Sequence, residues 1–294
     1  MYTSVVSIAA LLSLTLVRAA IAETSVERGS YLVNTIMACG NCHTPKDAAG
    51  MPMTDKELSG GLSFTTPAFN ATAANITPDK ETGIGGWSDA EISEALLKGV
   101  RPQHVHLAGV QLAAVMPAQY YKALLPEDLA AVIAYLRSIK PVRNDVKAPE
   151  YKQPVHRDPY PDAERGFTKG DLKDPVRHGA YLATIGHCME CHSAWSRGIS
   201  DYTNGLGKGG RPFSPNLVQG FVVSWQGSVA TNITSDKDKG IGAWTDAEIK
   251  RAITQGIRRD GRALNPPMAF HWYAKMTNSD LDALVAWLRT LPPL

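Results

Sequence analysis

Three blocks of this chain recur in the same order in its second half, and this duplication limits the possible folds more than any other feature. YLVNTIMACGNCH (31–43) is answered by YLATIGHCMECH (181–192), which is one residue shorter. ANITPDKETGIGGWSDAEI (74–92) is answered by TNITSDKDKGIGAWTDAEI (231–249), and LPEDLAAVIAYLRSIKP (125–141) by TNSDLDALVAWLRTLPP (277–293). The offset is 149 at the cysteines, 157 at the Asn-Ile-Thr segment and 152 at the last block, so loops change length while helices correspond. Two homologous domains are expected, at 23–140 and 177–294. Residues 141–176, with six prolines and seven charges of each sign, read as an extended Pro-rich connector.

The local signals are helical. Ser88-x-x-Glu91 and Thr245-x-x-Glu248 are capping boxes, each opening a helix after a Gly-Ile-Gly turn and a tryptophan. Leu129, Val132, Ile133 and Leu136 keep i, i+3, i+4, i+7 spacing, as do Leu281, Leu284, Val285 and Leu288, and proline stops both helices. No strand pairs are evident, so the expected class is all-α. The two Asn-Ile-Thr segments match a glycosylation sequon, but their shared place in both repeats favours a role in a turn.

All four cysteines fall in Cys-x-x-Cys-His motifs, at Cys39/Cys42/His43 and Cys188/Cys191/His192. Two thiols one helical turn apart can each add across a vinyl group of one macrocycle, leaving the adjacent imidazole under the iron. The motifs therefore read as attachment sites for two covalently bound haem c groups. A zinc site would have to pool ligands from segments far apart in the chain, against the usual spacing. A redox dithiol or two structural disulfides would leave His43 and His192 without a reason.

The remaining iron position decides between electron transfer and catalysis. Met116 lies 73 residues after His43 and Met268 lies 76 after His192; both adjoin proline and both keep the 152 offset of the final helix. A thioether on a proline-stiffened loop suits an axial ligand, so the expected metal ligands are His43, Met116, His192 and Met268. The other methionines lack this pattern: Met276 aligns with Leu124, Met51 with Ser200 and Met53 with Tyr202, while Met37 and Met189 adjoin the motifs. His104 or His106 in place of Met116 is the alternative; His271 also lies near Met268, but no histidine of this kind is shared between repeats.

Residues 1–22 form a short apolar stretch ending Ala20-Ile21-Ala22, which suits an export signal peptide cleaved after Ala22. It has no basic residue before the apolar run, so an uncleaved anchor is the alternative. Without the leader, 29 basic residues face 28 acidic ones, and nucleic acid is not an expected partner.

The Cys-x-x-Cys-His motifs resemble those of tandem class I cytochrome c domains in the cytochrome c subunits of bacterial membrane-associated alcohol, aldehyde and gluconate dehydrogenases. So do the Gly-Gly-x-x-Phe segments at Gly60–Phe64 and Gly209–Phe213, the N-I-T-x-D-K…G-I-G-x-W blocks, and the Met116 and Met268 loops. The resemblance implies an all-helical fold, His/Met ligation and service as an electron conduit. Many such relatives carry three haems, whereas this chain has two motifs. No membrane-holding tail is expected after Leu294.

The expected function is that of a periplasmic electron-transfer cytochrome rather than an enzyme. It would take single electrons from a dehydrogenase, as partner or non-catalytic subunit, and pass them to a terminal oxidase or another cytochrome, meeting the membrane only peripherally through a partner. The alternative is a dihaem enzyme of the cytochrome c peroxidase or thiosulfate-oxidising kind, which needs an open iron. Residues 23–140 hold 9 basic and 12 acidic side chains, and 177–294 hold 13 and 9. Arg258, Arg259 and Arg262 are thus candidates for docking an acidic redox partner or for pairing with haem propionates.

Overall fold

The computed structural model of the protein describes residues 23–294 apart from His106, Arg197 and Val223. The leader expected at 1–22 and its cleavage point lie outside the described residues, as does His106.

The first repeat opens with α1 (Ser25–Tyr31), whose N-cap Thr24 forms a capping box with Glu27. A π-helical turn, Leu32–Ile36, continues it, with the Met37 N–H donating to the Leu32 carbonyl at 2.8 Å. This wide turn takes up the one extra residue of the first repeat, because five residues close the hydrogen bond where four normally do. The short α2 (Cys39–His43), the hairpin of β1 (Ser63–Thr65) and β2 (Phe69–Thr72), α3 (Asp89–Lys98), α4 (Ala118–Tyr121) and α5 (Pro126–Ser138) follow. The connector contributes β3 (Glu150–Tyr151) and α6 (Pro161–Arg165).

The second repeat starts with α7 (Pro175–Ile185), which begins in the connector's last residues, and α8 (Cys188–His192). Next come β4 (Ala194–Ser196), β5 (Ile199–Asp201), β6 (Pro212–Phe213), β7 (Val218–Gln219) and β8 (Ser228–Val229), then α9 (Asp246–Gln255), α10 (Phe270–Tyr273) and α11 (Asn278–Leu288). The capping boxes form as expected at Ser88/Glu91 and Thr245/Glu248, since they depend only on neighbours three residues apart.

In each repeat the first helix packs against the last, α1 on α5 and α7 on α11. Glycine permits the contact: a Cβ on Gly29 would sit 1.9 Å from the Ala131 carbonyl oxygen, and one on Gly179 would sit 2.0 Å from that of Ala283. The final helix is also tied to the tryptophan turn. Arg137 donates to the Ile84 and Trp87 carbonyls and pairs with Asp89; Arg289 repeats this with Ile241, Trp244 and Asp246. The Asn-Ile-Thr segments clamp the chain that leaves this helix: Asn75 donates to the Val142 carbonyl at 2.7 Å, and Asn232 to that of Leu294 at 2.6 Å. Asn75 is buried in this turn.

The two repeats share one apolar cluster, in which Leu32, Ile36, Tyr120 and Val132 meet Tyr181, Ile185, Leu284 and Trp287. The expectation of an all-α chain without strand pairs needs correction, for the protein is mostly helical with short antiparallel sheets. The largest has the order β3-β2-β1-β7, so the first repeat's hairpin is flanked by one strand from the connector and one from the second repeat. These strands run two to four residues, too short to display a period. The connector packs against both repeats: Tyr160 is buried against Tyr120 of the first and Tyr202 of the second, and Glu164 pairs with Lys122. Among the described residues no helix is long and apolar enough to cross a membrane.

Candidate functional site

Each Cys-x-x-Cys-His motif is a single helical turn entered through a left-handed residue that is not glycine, Ala38 at φ 46° and His187 at φ 42°. Non-glycine residues rarely occupy this region, and their matched occurrence marks a constrained turn. The four thiols are unbridged. Burial pushes all four up: Cys39, Cys188 and Cys191 to about 12 and Cys42 to about 11. Three-residue spacing puts each pair of thiols on one helical face.

The two histidines share one geometry. His43 Nδ1 lies 2.7 Å from the Ala74 carbonyl oxygen, and His192 Nδ1 lies 2.8 Å from that of Thr231. A carbonyl only accepts, so Nδ1 carries the proton and Nε2 keeps its lone pair for a metal. Burial pushes both imidazoles down, more than the carbonyl contact raises them, which favours the neutral ligating form.

The motifs meet in space. A Cβ on Gly186, two residues before Cys188, would sit 3.1 Å from the carbonyl oxygen of Ile36, three residues before Cys39. Each methionine loop leads into a short helix, α4 after Met116 and α10 after Met268, that reaches the other repeat's motif. Asn41 Nδ2, between the first pair of cysteines, donates to the Pro267 carbonyl at 2.9 Å, one residue before Met268. Trp272 packs with Ala38, and the rings of Tyr120 and Tyr121 stand 6.4 Å from that of His187. Met116 is half-buried against the main cluster and Met268 is half-buried. The Met116 loop is propped by the connector, whose Arg157 Nη2 donates to the Leu112 and Ala113 carbonyls at 2.6 and 3.2 Å.

Sequence reasoning passed over the charged groups at the motifs. Lys46 Nζ donates to the Asn41 carbonyl at 2.5 Å and stands 5.0 Å from the Phe221 ring centre and 5.7 Å from that of Trp272. Arg211 Nη1 donates to the matching Glu190 carbonyl at 2.8 Å, with its guanidinium 6.0 Å from Trp195 and 5.4 Å from Phe213. Lys46 aligns with Trp195 and Arg211 with Leu62, so comparing the repeats could not flag either cation.

The other methionines fill or cover the fold: Met37, Met189 and Met276 are buried, and Met51 is exposed. His104 is exposed and 3.0 Å from Glu91, while His271 is exposed with its ring edge-on to Trp272. The arginine cluster is largely neutralised at its own surface, Arg262 by Asp260 and Arg259 by Glu248. Among the described residues no group of three or more His, Cys, Asp or Glu side chains is arranged to hold a metal ion.

The residues suit haem c on two counts. The donor set at each motif is a pair of free thiols beside an imidazole with an available Nε2. In addition, Trp225 Nε1, Arg251 Nε and Arg258 Nε are buried donors without a protein acceptor, and carboxylates such as those of a haem could satisfy donors of this kind.

Comparison with known proteins agrees. Residues 176–292 match the family model for cytochrome c. The chain is 29% identical over 285 residues to the cytochrome c subunit of the quinone alcohol dehydrogenase of Gluconacetobacter polyoxogenes, covering 92% of this chain and 56% of that protein. It is 29% identical over 280 residues to the gluconate 2-dehydrogenase cytochrome c subunit of Pantoea cypripedii, covering 90% and 59%. A diheme cytochrome c-type protein of Cereibacter sphaeroides is 28% identical over 267 residues, covering 87% and 82%. The chain thus spans little more than half the length of the dehydrogenase subunits it matches.

Proposed function

We propose, from the premise that this chain carries a cytochrome c domain and is similar to dehydrogenase cytochrome subunits, that it is an exported dihaem electron carrier. It serves in the periplasm as partner or non-catalytic subunit of a dehydrogenase and hands electrons to an oxidase or another cytochrome. Its units are 23–140 and 177–294, each with one haem c. The observation that carries the reading is the paired histidine geometry, with Nδ1 held by a carbonyl and Nε2 left free at both motifs.

Haem c supplies a one-electron iron couple when attached. The chain's own residues do the rest. Cys39 and Cys42, or Cys188 and Cys191, tether the macrocycle, and the Ala74 and Thr231 carbonyls fix the ring plane of His43 and His192. Met116 and Met268 would supply the second protein ligand to each iron, which would leave no position for substrate. The shared core joins the two repeats, and groups held at the two motifs would be near enough to exchange electrons.

Visible spectroscopy and potentiometry of the haem-loaded protein test this. Two low-spin centres inert to carbon monoxide are expected, with Met116→Leu and Met268→Leu each opening one of them. Carbon monoxide binding to the unaltered reduced protein would point to the dihaem enzyme instead.

A further inference from the structure

The two motifs carry the same cation on the same carbonyl but differ in what surrounds it. In the second repeat Arg211 caps the carbonyl of Glu190, and the Glu190 side chain lies 3.5 Å from that guanidinium. Glu190 is buried and also contacts His187 at 3.2 Å. A buried carboxylate flanked by a guanidinium and an imidazole makes an ion pair within the attachment loop itself. Cation and anion cancel there.

In the first repeat the residue at Glu190's place is Asn41, which is neutral. Lys46 caps its carbonyl from between two aromatic rings, Phe221 and Trp272, both supplied by the second repeat. Among the described residues no carboxylate oxygen lies within 4.0 Å of Lys46 Nζ. The ammonium is held by π-faces and a carbonyl, none of which removes its charge. Reduction adds an electron to the iron, so an uncancelled cation at the attachment loop favours the reduced form, and a cancelled one does not.

We propose that the unpaired Lys46 charge makes the haem carried by Cys39–His43 the higher-potential centre, so that electrons run from the second repeat to the first. This rests on the reading of two His/Met haems. It gives the chain a direction: the donor reduces the haem at Cys188–His192, and the acceptor draws from the haem at Cys39–His43. Lys46, Asn41, Glu190 and Arg211 are positioning residues for the potential and touch no substrate.

Potentiometric titration of the haem-loaded protein tests it, with each transition assigned by Met116→His and Met268→His, which lower the potential of the haem they ligate. Lys46→Gln is expected to shift the reduction equilibrium of the first haem about tenfold towards oxidised, about 59 mV for one electron, with the second haem unmoved. Lys46→Arg restores the original value. Asn41→Asp cancels the ammonium without removing it, shifts the same transition the same way, and decides the matter if Lys46→Gln loses haem. Glu190→Gln shifts the second haem towards reduced by leaving Arg211 uncancelled. Unchanged transitions in both Lys46→Gln and Asn41→Asp, or a second haem of higher potential in the unaltered protein, overturn the proposal. If neither Met→His variant moves any transition, the ligand reading is what has failed.

Discussion

The hydroxyl of Tyr181 donates to a carboxylate oxygen of Asp128 at 2.5 Å, joining the second repeat's first helix to the first repeat's last. Tyr31 makes the reciprocal bond to Asp280 at 2.5 Å. Each hydroxyl also accepts a backbone N–H at the start of the helix it reaches, from Leu125 at 3.4 Å and Thr277 at 3.1 Å. The repeats are thus bonded by an exchanged pair, and the exchange differs in one charge. Asp128 takes a two-pronged bond from Arg28, at 2.8 and 2.9 Å, where Asp280 has only His178 at 3.5 Å.

Asp128→Asn should therefore destabilise the protein more than Asp280→Asn. Loss of a buried carboxylate bonded to a guanidinium costs about 2–3 kcal/mol, and the counterpart about 1 kcal/mol. Urea midpoints of the haem-loaded variants measure the difference; equal midpoints would contradict the asymmetry.

Gly29→Ala and Gly179→Ala should each be at or above the ~3 kcal/mol upper end for overpacking, because the added methyl meets backbone at 1.9 or 2.0 Å rather than a yielding side chain. Thermal melting and haem retention check this. A substitution tolerated at either site would mean that the helix pair separates easily.

Arg157→Leu leaves the Leu112 and Ala113 carbonyls without their connector donor. A loss of about 1–3 kcal/mol is expected, together with easier displacement of Met116 by added imidazole. Spectral titration should show imidazole entering at the first haem before the second. Unaltered imidazole affinity would remove the connector from any part in holding that loop.

Burial pushes Lys46 down to about 8 from an ordinary value of 10.5. Between those values the unfolded chain binds a proton at this position that the native chain lacks, so rising pH favours the native state across the window. Lys46→Gln should lose this rise. Stability curves from urea unfolding at pH values spanning the window measure it, and parallel curves for the two proteins would count against a desolvated Lys46.

Local rules carried much of this in the sequence. The capping boxes, the amphipathic helices of 126–138 and 278–288 and the turn role of Asn75 and Asn232 depend on residues a few positions apart, and all three are found where expected. The local pairing of the arginine cluster was not legible, because formal charge counts do not show which carboxylates fold back onto it, here Asp260 and Glu248. The strands were missed because β3 and β7 find their partners only after the connector and the second repeat have closed on the first.

By itself the amino-acid sequence determined the duplication, the two Cys-x-x-Cys-His motifs and the helices that recur with them, since each is set by spacing along the chain. Only the tertiary structure decided that the repeats share a core, that each methionine loop runs on to the other's motif, and that Lys46 stands between Phe221 and Trp272 while Arg211 stands beside Glu190. Those contacts join residues far apart in the chain, and burial and charge compensation are settled only by what lies nearby in space.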